Sequence, residues 1–457
     1  MTPHTDAPEG PSLRRLADAA EDRLGEHGLA LRDLGVLGPE DPAASHFAAA
    51  VERGFYETVP TGAALRQQLE AHAADGRRRL GVYAPGDDPA ARRPAATFED
   101  FVQPLTTWPG RTVDAWLITD VTVSPDARRR GVLRAMMLRS LADARDAGLC
   151  AAALTATEAA IYGRFGFGAA TRWHAVRIDV SGAPAFTGAP AGGRVTVEEP
   201  REIPGLVDEL YGRVLPATPG SVQRTSFSVP RWEDREASRN EGRGSGLYAA
   251  VHRDDDGRVQ GVALYRFEGW EKEPPTITVT AFLAATADAR RGLVHHLARL
   301  DLVERIEWGR APEPGWLEAL FVDERRVSRH RGSDDLYLRV LNLPAAMAAR
   351  GWAGDGEVVV AVEDALVEVE LVDQARAAAR LHGDAQPQVR AALLLEQRAH
   401  LAGRHVGQLD LVRGQALGVL GRADLDAGLL CGQSHRDLLR SWGADGAVTR
   451  VWSPGQH

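Results

Sequence analysis

Cysteine is nearly absent: the 457 residues include only Cys150 and Cys431. Each sits in an apolar run without CxxC spacing, which excludes a disulfide framework and a cysteine-built zinc site and makes reducing cytosol the expected compartment. Long apolar runs are missing as well. No stretch approaches the ~18 uninterrupted apolar residues of a spanning helix, and the opening Met-Thr-Pro-His-Thr-Asp lacks the basic-then-apolar pattern of an export signal. Positive charge is in deficit, with 54 Lys and Arg against 63 Asp and Glu and a formal net charge of -9. A nucleic-acid or anionic-membrane footprint needs the opposite sign, so a cationic partner is the easier expectation. What is present, 44% hydrophobic and 26% charged residues, is the balance of a globular protein. The length allows about three domains.

Residues 1–12 carry three prolines and no apolar period and read as a tail. Leu13 to His27 has helical apolar spacing and predicts an added amphipathic helix. Two further helices are expected over 42–54 and 62–73, separated by Val59-Pro60-Thr61-Gly62. Strands follow at Arg79–Tyr83, Phe98–Leu105 and Thr112–Val123, then a helix from Gly131 to Ala147, a buried strand at Leu149–Thr155 and helical character over Thr157–Phe165. Strand, helix, strand, helix marks an α/β layer. The Pro- and Gly-rich stretch 181–193 suggests a domain boundary at 190/191.

A second region contains a strand at Ile277–Phe282, then Asp288-Ala289-Arg290-Arg291-Gly292-Leu293 and an expected helix running to Ile306. That order resembles Asp126-Ala127-Arg128-Arg129-Arg130-Gly131-Val132 after the earlier strand, an internal repeat about 160 residues apart. A third region from about 351 alternates over 358–371, carries a long Ala- and Leu-rich helix pattern over 372–401, and is strand-like at 408–412 with a last helix near 435–442.

Two constellations carry chemistry. Val121-Thr122-Val123 feeds the run Arg128-Arg129-Arg130-Gly131 and then a helix, whose N-terminal N–H groups and dipole suit a pyrophosphate. Alone, the run reads as a solvated basic loop at the start of an ordinary amphipathic helix. Glu158-Ala159-Ala160-Ile161-Tyr162-Gly163-Arg164-Phe165-Gly166-Phe167-Gly168 places a phenol beside a tight, glycine-rich reversal. Taken singly, Tyr162 reads as a half-buried core aromatic.

Together these motifs resemble acetyl-coenzyme-A-dependent N-acetyltransferases of the GNAT superfamily, specifically the enhanced intracellular survival (Eis) type. Ala263-Leu264-Tyr265-Arg266, the run Leu300 to Ile306 and the run Asp334 to Ala346 match that pattern too. The resemblance spans roughly residues 30–440. It implies an α/β (α+β) chain of two tandem GNAT-like domains, the catalytic one over 29–190 and one without a working cofactor loop over 191–350. A sterol-carrier-protein-like α+β domain would occupy 351–457, with the tail and extra helix over 1–28. It further implies a homohexamer that acetylates amines, aminoglycosides or peptide lysine among them. By motif, Val121, Thr122, Val123, Arg129, Arg130, Gly131, Val132, Leu133, Arg134, Thr157 and Glu158 would hold acetyl-coenzyme A, and Tyr162 would be the general acid.

The family's general base is a terminal phenylalanine carboxylate after an aromatic, proline-containing tail. This sequence ends Val451-Trp452-Ser453-Pro454-Gly455-Gln456-His457 instead, which leaves the base open, the His457 carboxylate being one candidate. No aromatic stands near Gly62 to Leu69 where the family places one on the substrate. Glu57 is a candidate for gripping a substrate ammonium or simply a solvated carboxylate. A backbone N–H around Val123 is expected to hold the thioester oxyanion. No metal is expected, since His295/His296 and His400/His405 lack zincin spacing. Asp254-Asp255-Asp256-Gly257 puts Ala263 where a calcium loop closes with Glu, so it reads as a hairpin turn. The competing reading is a non-catalytic amine- or lipid-binding protein using the acetyltransferase parts as scaffold.

Overall fold

The helical spacing of Leu13, Leu16, Ala20 and Leu24 forms α1 (Leu13–Glu26), started by the Ser12 hydroxyl accepting from the Arg15 N–H. In this computed structural model the described residues are 12–156, 158–188, 191–226, 246–311, 315–351 and Leu366. Residues 1–11, Thr157 and nearly all of the third region, with its expected sterol-carrier-type domain and the His457 carboxylate, lie outside them. The surface that α1 covers is now defined. It buries Leu13, Ala17, Ala20 and Leu24 in the core shared with α4 (Val132–Asp146), and Arg14 pairs with Asp143 and Asp146 at 2.6 Å each.

The first unit continues through β1 (Ala30–Val36), α2 (Pro42–Gly54), α3 (Gly62–Ala74), β2 (Arg78–Tyr83), β3 (Ala96–Trp108) and β4 (Arg111–Val123). After α4 come β5 (Ala151–Thr155), α5 (Ala159–Tyr162), β6 (Gly168–Ala169) and β7 (Arg172–Asp179). The second unit repeats this plan with β8 (Arg194–Glu198), α6 (Pro204–Val214), β9 (Leu247–Arg253), β10 (Val259–Phe267) and β11 (Thr276–Ala284). It closes with α7 (Ala287–Leu297), β12 (Arg305–Ala311), β13 (Val327–Asp334), β14 (Leu336–Val340) and α8 (Leu343–Ala349).

Two seven-stranded sheets result, β1-β2-β3-β4-β5-β14-β6 and β8-β9-β10-β11-β12-β7-β13. Within each, only the fourth and fifth strands run parallel, joined by a crossover helix, α4 or α7. Each unit lends its last strand to the other sheet: β7 lies between β12 and β13, and β14 lies between β5 and β6. The chain has therefore already crossed into the second sheet before the Pro- and Gly-rich stretch 181–193.

Two local departures from the sequence reading matter. The helix expected to run to Ile306 stops at Leu297. Leu302 takes a left-handed φ of 63° in the turn that follows, and Arg305–Ala311 is a strand pairing with β11 and β7. Leu297, Leu300, Val303 and Ile306 recur every third residue, a spacing that imitates a helix face although the chain turns after Leu297. The second departure is in β4. Thr97 pairs with Thr122 and Glu99 with Thr119, so Phe98 faces two residues, Asp120 and Val121. Asp120 has φ 52°, and this bulge turns the end of β4. The Asp254–Gly257 run is the expected hairpin turn, with the Gly257 N–H donating to the Asp254 carbonyl.

Candidate active site

Parallel pairing of β4 with β5 ends at Ile118 opposite Leu154. Beyond it, Val121, Thr122 and Val123 keep β3 on one side and, among the described residues, have no strand on the other. N–H groups alternate between the edges of a strand. The Ser124 N–H donates to Ala95 O on the β3 side at 2.9 Å, so the Val123 N–H faces the open edge. The bulge is pinned by the Thr97 hydroxyl, which donates to Asp120 O at 2.8 Å and shares a hydrogen bond of 2.7 Å with the Thr122 hydroxyl.

The chain then turns through Pro125–Ala127 and the exposed Arg128, Arg129 and Arg130. Arg128 Nε donates to Val123 O at 3.3 Å, tying the loop to the strand. Arg129 and Gly131 both adopt positive φ, 64° and 78°. At Gly131 a Cβ would meet nothing within 4 Å, so the backbone lies open. No side chain caps α4 and no acidic residue occupies its first turn. The N–H groups of Val132, Leu133 and Arg134 therefore point out of an uncompensated positive dipole end bordered by arginines, a place fitted to a phosphate.

Tyr162 ends α5, half buried, with its ring edge-on to Phe167 at 6.2 Å between centroids. It packs on the same core as Val121, Val123, Val132 and Leu133, and because β4 and β5 run parallel, α5 leaves β5 at the end where β4 runs on to Val123. Burial, followed by the negative charge of Glu158, pushes the Tyr162 phenol above its usual value. Glu158 itself is exposed. The turn Gly163–Phe165 leads to Gly166 at φ 80°, where a Cβ would fall 2.0 Å from Nη1 of the buried Arg339. Arg339 is on β14, so the second unit's borrowed strand supports this reversal. Across the site, Gly54 lies so close to β4 that a Cβ there would stand 2.5 Å from Thr122 Cβ. The exposed Phe55, Tyr56 and Glu57 follow it.

One feature of the site escapes the sequence reading: a sealed charge cluster on the α2/α3 side of the sheet. Glu99 is 1% exposed and accepts from Arg79 Nε at 2.9 Å and Arg77 Nη1 at 3.3 Å, with His72 Nδ1 at 3.3 Å. Burial alone would raise the Glu99 carboxyl, but the His72 hydrogen bond and the His72, Arg79 and Arg77 charges hold it down at about 2. Asp120 is placed differently. Its nearest cation is Arg77 at 3.6 Å, beyond hydrogen-bond length, and only Thr119 donates to it, at 3.3 Å. Burial and then the Glu99 charge push it up to about 8. His72, Glu99 and Asp120 each bring one oxygen or nitrogen within 4.8 Å of the others. Arg77 and Arg79 already occupy both Glu99 oxygens, so positive charge is supplied without a metal ion. The available signal was Arg77 to Arg79 and Glu99-Asp100 inside otherwise apolar strands. On the opposite face of the sheet Arg78 grips Asp100 with two bonds of 2.8 Å.

At the equivalent helix in the second unit the pattern is closed. Thr286 caps α7 by accepting from the Ala289 N–H at 3.1 Å, and Asp288 stands in the first turn. Arg290, Arg291 and Gly292 lie inside the helix rather than ahead of it.

The comparisons with known proteins bear on the fold and the family. Models of the acetyltransferase (GNAT) domain match residues 43–170 and 220–340, one in each unit. An uncharacterized N-acetyltransferase of Streptomyces avermitilis is 34% identical over 300 residues, 63% of this chain and 69% of that protein. The N-acetyltransferase Eis of Mycobacterium tuberculosis is 35% identical over 253 residues, 53% of this chain and 60% of that one. The chain belongs to the Eis-type GNAT N-acetyltransferases. The crystal structure of Eis1 from Mycobacterium abscessus superposes with a TM-score of 0.60 at 28% identity, covering 74% of this chain and 80% of that one. As an Eis-type protein the chain is an acyltransferase, and its GNAT fold implies acetyl-coenzyme A as co-substrate. No helix among the described residues is long and apolar enough to cross a membrane.

Proposed function

We propose that this enzyme transfers the acetyl group of acetyl-coenzyme A to a primary amine, aminoglycoside-like or lysine-type, by direct attack on the thioester with Tyr162 as general acid. The observation that carries this reading is the uncapped, arginine-bordered start of α4 on the same core as Tyr162. The pyrophosphate would lie on the N–H groups of Gly131 to Arg134 beside Arg129 and Arg130. The thioester would then lie along the open edge of Val121 to Val123, where the Val123 N–H can hold the developing oxyanion, one such donor being worth ~3 kcal/mol. Collapse of the tetrahedral intermediate breaks the C–S bond, and the phenol hydrogen of Tyr162 goes to the departing sulfur. A phenol held protonated by burial is suited to that step. Thr157 and Glu158 would flank the same co-substrate. Glu57, exposed three residues after the Gly54 that abuts Thr122, would meet the acceptor's positive charge, in keeping with the acidic net charge.

The cytosol suits a chain with two cysteines, of which Cys150 is a buried free thiol. The family resemblance adds a homohexamer and a sterol-carrier-type domain over 351–457. The test is release of coenzyme A thiol on a panel of amines, with mass spectrometry of the products. The chain has a single lysine, Lys272, so side-chain self-acetylation adds at most one acetyl group per chain to the count. Tyr162→Phe should cut turnover about a hundredfold or more while calorimetry shows unchanged acetyl-coenzyme A affinity; unchanged turnover would remove Tyr162 from the mechanism.

A further inference from the structure

Acetyl-coenzyme A, bound as proposed, is held at two points on two different elements. Its pyrophosphate lies on the N–H groups that open α4, and its thioester lies against the Val123 N–H of β4, with a pantetheine arm of fixed length between. Both contacts form on one molecule only when α4 stands at the right height along β4. Apolar packing alone sets that height loosely, since a seat of Ala, Leu and Met side chains loses its uniqueness before it loses its stability. Such side chains make up most of the buried face of α4, from Ala135 to Ala144. One residue on that face differs: Ser140, which is completely buried.

A polar chain passes through this hydroxyl. The Trp116 indole N–H of β4 donates to Ser140 Oγ at 2.8 Å, and the Ser140 hydroxyl donates to an oxygen of the fully buried Asp100 on β3 at 2.8 Å. Arg78, the register partner of Asp100 on β2, holds that carboxylate and lies 5.3 Å from the Trp116 ring centroid. It also donates to Asp143 of α4 at 2.7 Å. The other Asp143 oxygen accepts from Arg14 of α1 at 2.6 Å. Ser140 and Asp143 are three residues apart and so share one face of the helix. Side chains of β2, β3, β4 and α1 therefore meet at a single turn of α4. A slip of the helix would leave buried donors or acceptors unpaired, so this network is satisfied in one arrangement where apolar contacts tolerate several.

We propose that Ser140 is a positioning residue for acetyl-coenzyme A: its hydroxyl, locked between Trp116 and Asp100, fixes α4 along β4 so that the α4 mouth and the Val123 N–H engage the same molecule. The inference rests on the proposed co-substrate site and deepens it. Ser140 touches no co-substrate atom, since it lies nine residues, about 14 Å of helix, beyond Gly131. It acts through the helix as a rod. Trp116 acts through the strand, standing seven residues before Val123 on β4. Arg14 closes the network from outside, which gives the added helix α1 a part in the site beyond covering the core. The second unit, whose mouth is closed, seats its helix differently. Leu293, Val294 and Leu297 of α7 share an apolar core with Ile277 and Val279 of β11. Nine residues past the Thr286 cap, where Ser140 stands relative to Gly131, His295 lays its ring on Phe186 at 3.7 Å between centroids.

The experiment compares wild type, Ser140→Ala, Trp116→Phe, the double variant and, as a core control in the second unit, Val294→Ala. Each is measured for kcat on an alkylamine, for acetyl-coenzyme A affinity by calorimetry, for thermal unfolding, and for the carbon-13 resonance of bound, carbonyl-labelled acetyl-coenzyme A. In wild type the Val123 N–H should move that resonance downfield of its free position. Ser140→Ala should return it toward the free position and lower kcat about tenfold to a hundredfold, while affinity, carried by the pyrophosphate, stays within about threefold. Trp116→Phe breaks the same bond from the strand side and should do the same, and the double variant should fall within about twofold of the worse single one. Val294→Ala should lower the unfolding midpoint and leave kcat and the resonance alone. A Ser140→Ala enzyme with wild-type kcat and resonance, losses that multiply in the double variant, or an equal loss of kcat in Val294→Ala would overturn the inference. A wild type that binds no acetyl-coenzyme A, or leaves its carbonyl resonance at the free position, would instead overturn the co-substrate site beneath it.

Discussion

The two units are built to one plan, yet only the first keeps a helix mouth open. Ahead of α4 stand three arginines and a left-handed glycine, with no cap. Ahead of α7 stands Thr286, whose hydroxyl takes the place an anion would fill, and Asp288 adds a negative charge that would repel one. The later arginines have been absorbed into structure. Arg291 Nη1 donates to Thr187 O at 3.0 Å, Arg290 lies 5.8 Å from the Trp316 ring centroid, and Gly292 abuts His252. The difference teaches that an Arg-Arg-Gly string carries no function by itself. A shift of six residues, from the N-cap position of Gly131 to the helix interior at Gly292, converts an anion site into a packing surface. What the second unit retains is scaffold: β14, with Arg339 beneath the Gly166 reversal, completes the first unit's sheet.

The comparison breaks hardest at the buried charges. Glu99→Gln leaves Arg79 and Arg77 sealed beside a neutral amide and should cost about 3–5 kcal/mol in denaturant unfolding. Glu198→Gln in the second unit removes a partly exposed Arg253 pair and should cost at most ~1 kcal/mol. The sign with pH is fixed by the depressed Glu99 value. Its stabilisation is present above the unfolded value of 4.5 and is lost as pH falls toward about 2, a limb the Gln variant should lack. Equal costs in the two units would erase the distinction between a charged working unit and an apolar supporting one. A smaller effect comes from the paired glycines. Gly54→Ala drives a methyl into Thr122 and should cost about 1–3 kcal/mol while also weakening acetyl-coenzyme A binding. Gly292→Ala meets the His252 ring and Ala191 and should lower stability without touching affinity, as thermal unfolding and calorimetry on the same samples would show.

Local patterns were legible in the sequence. The helical spacing of Leu13 to Leu24, the helix over 42–54 and the β-branched run ending at Val123 all form the elements their patterns predict. The arginine loop and Tyr162 were legible as motifs, and the structure sets them around one core. Nonlocal choices were not legible. Nothing in the alternation of Arg172–Asp179 or Leu336–Val340 says which sheet each joins, because a strand's period fixes its faces and not its partners. The run from Leu300 to Ile306 misled because Leu297, Leu300, Val303 and Ile306 recur every third residue, as on a helix face. The Asp120–Glu99 pair was hidden for a related reason: charged residues in a strand read as its wet face, and only the fold shows that α2 and α3 cover them.

The central claim, one open co-substrate mouth per chain, is tested most directly by calorimetric titration of acetyl-coenzyme A. The account predicts one site per chain, weakened at least about tenfold by the double substitution Arg129→Ala and Arg130→Ala, and unchanged by Thr286→Ala. Two sites per chain, or one site indifferent to the arginines and sensitive to Thr286, would contradict it.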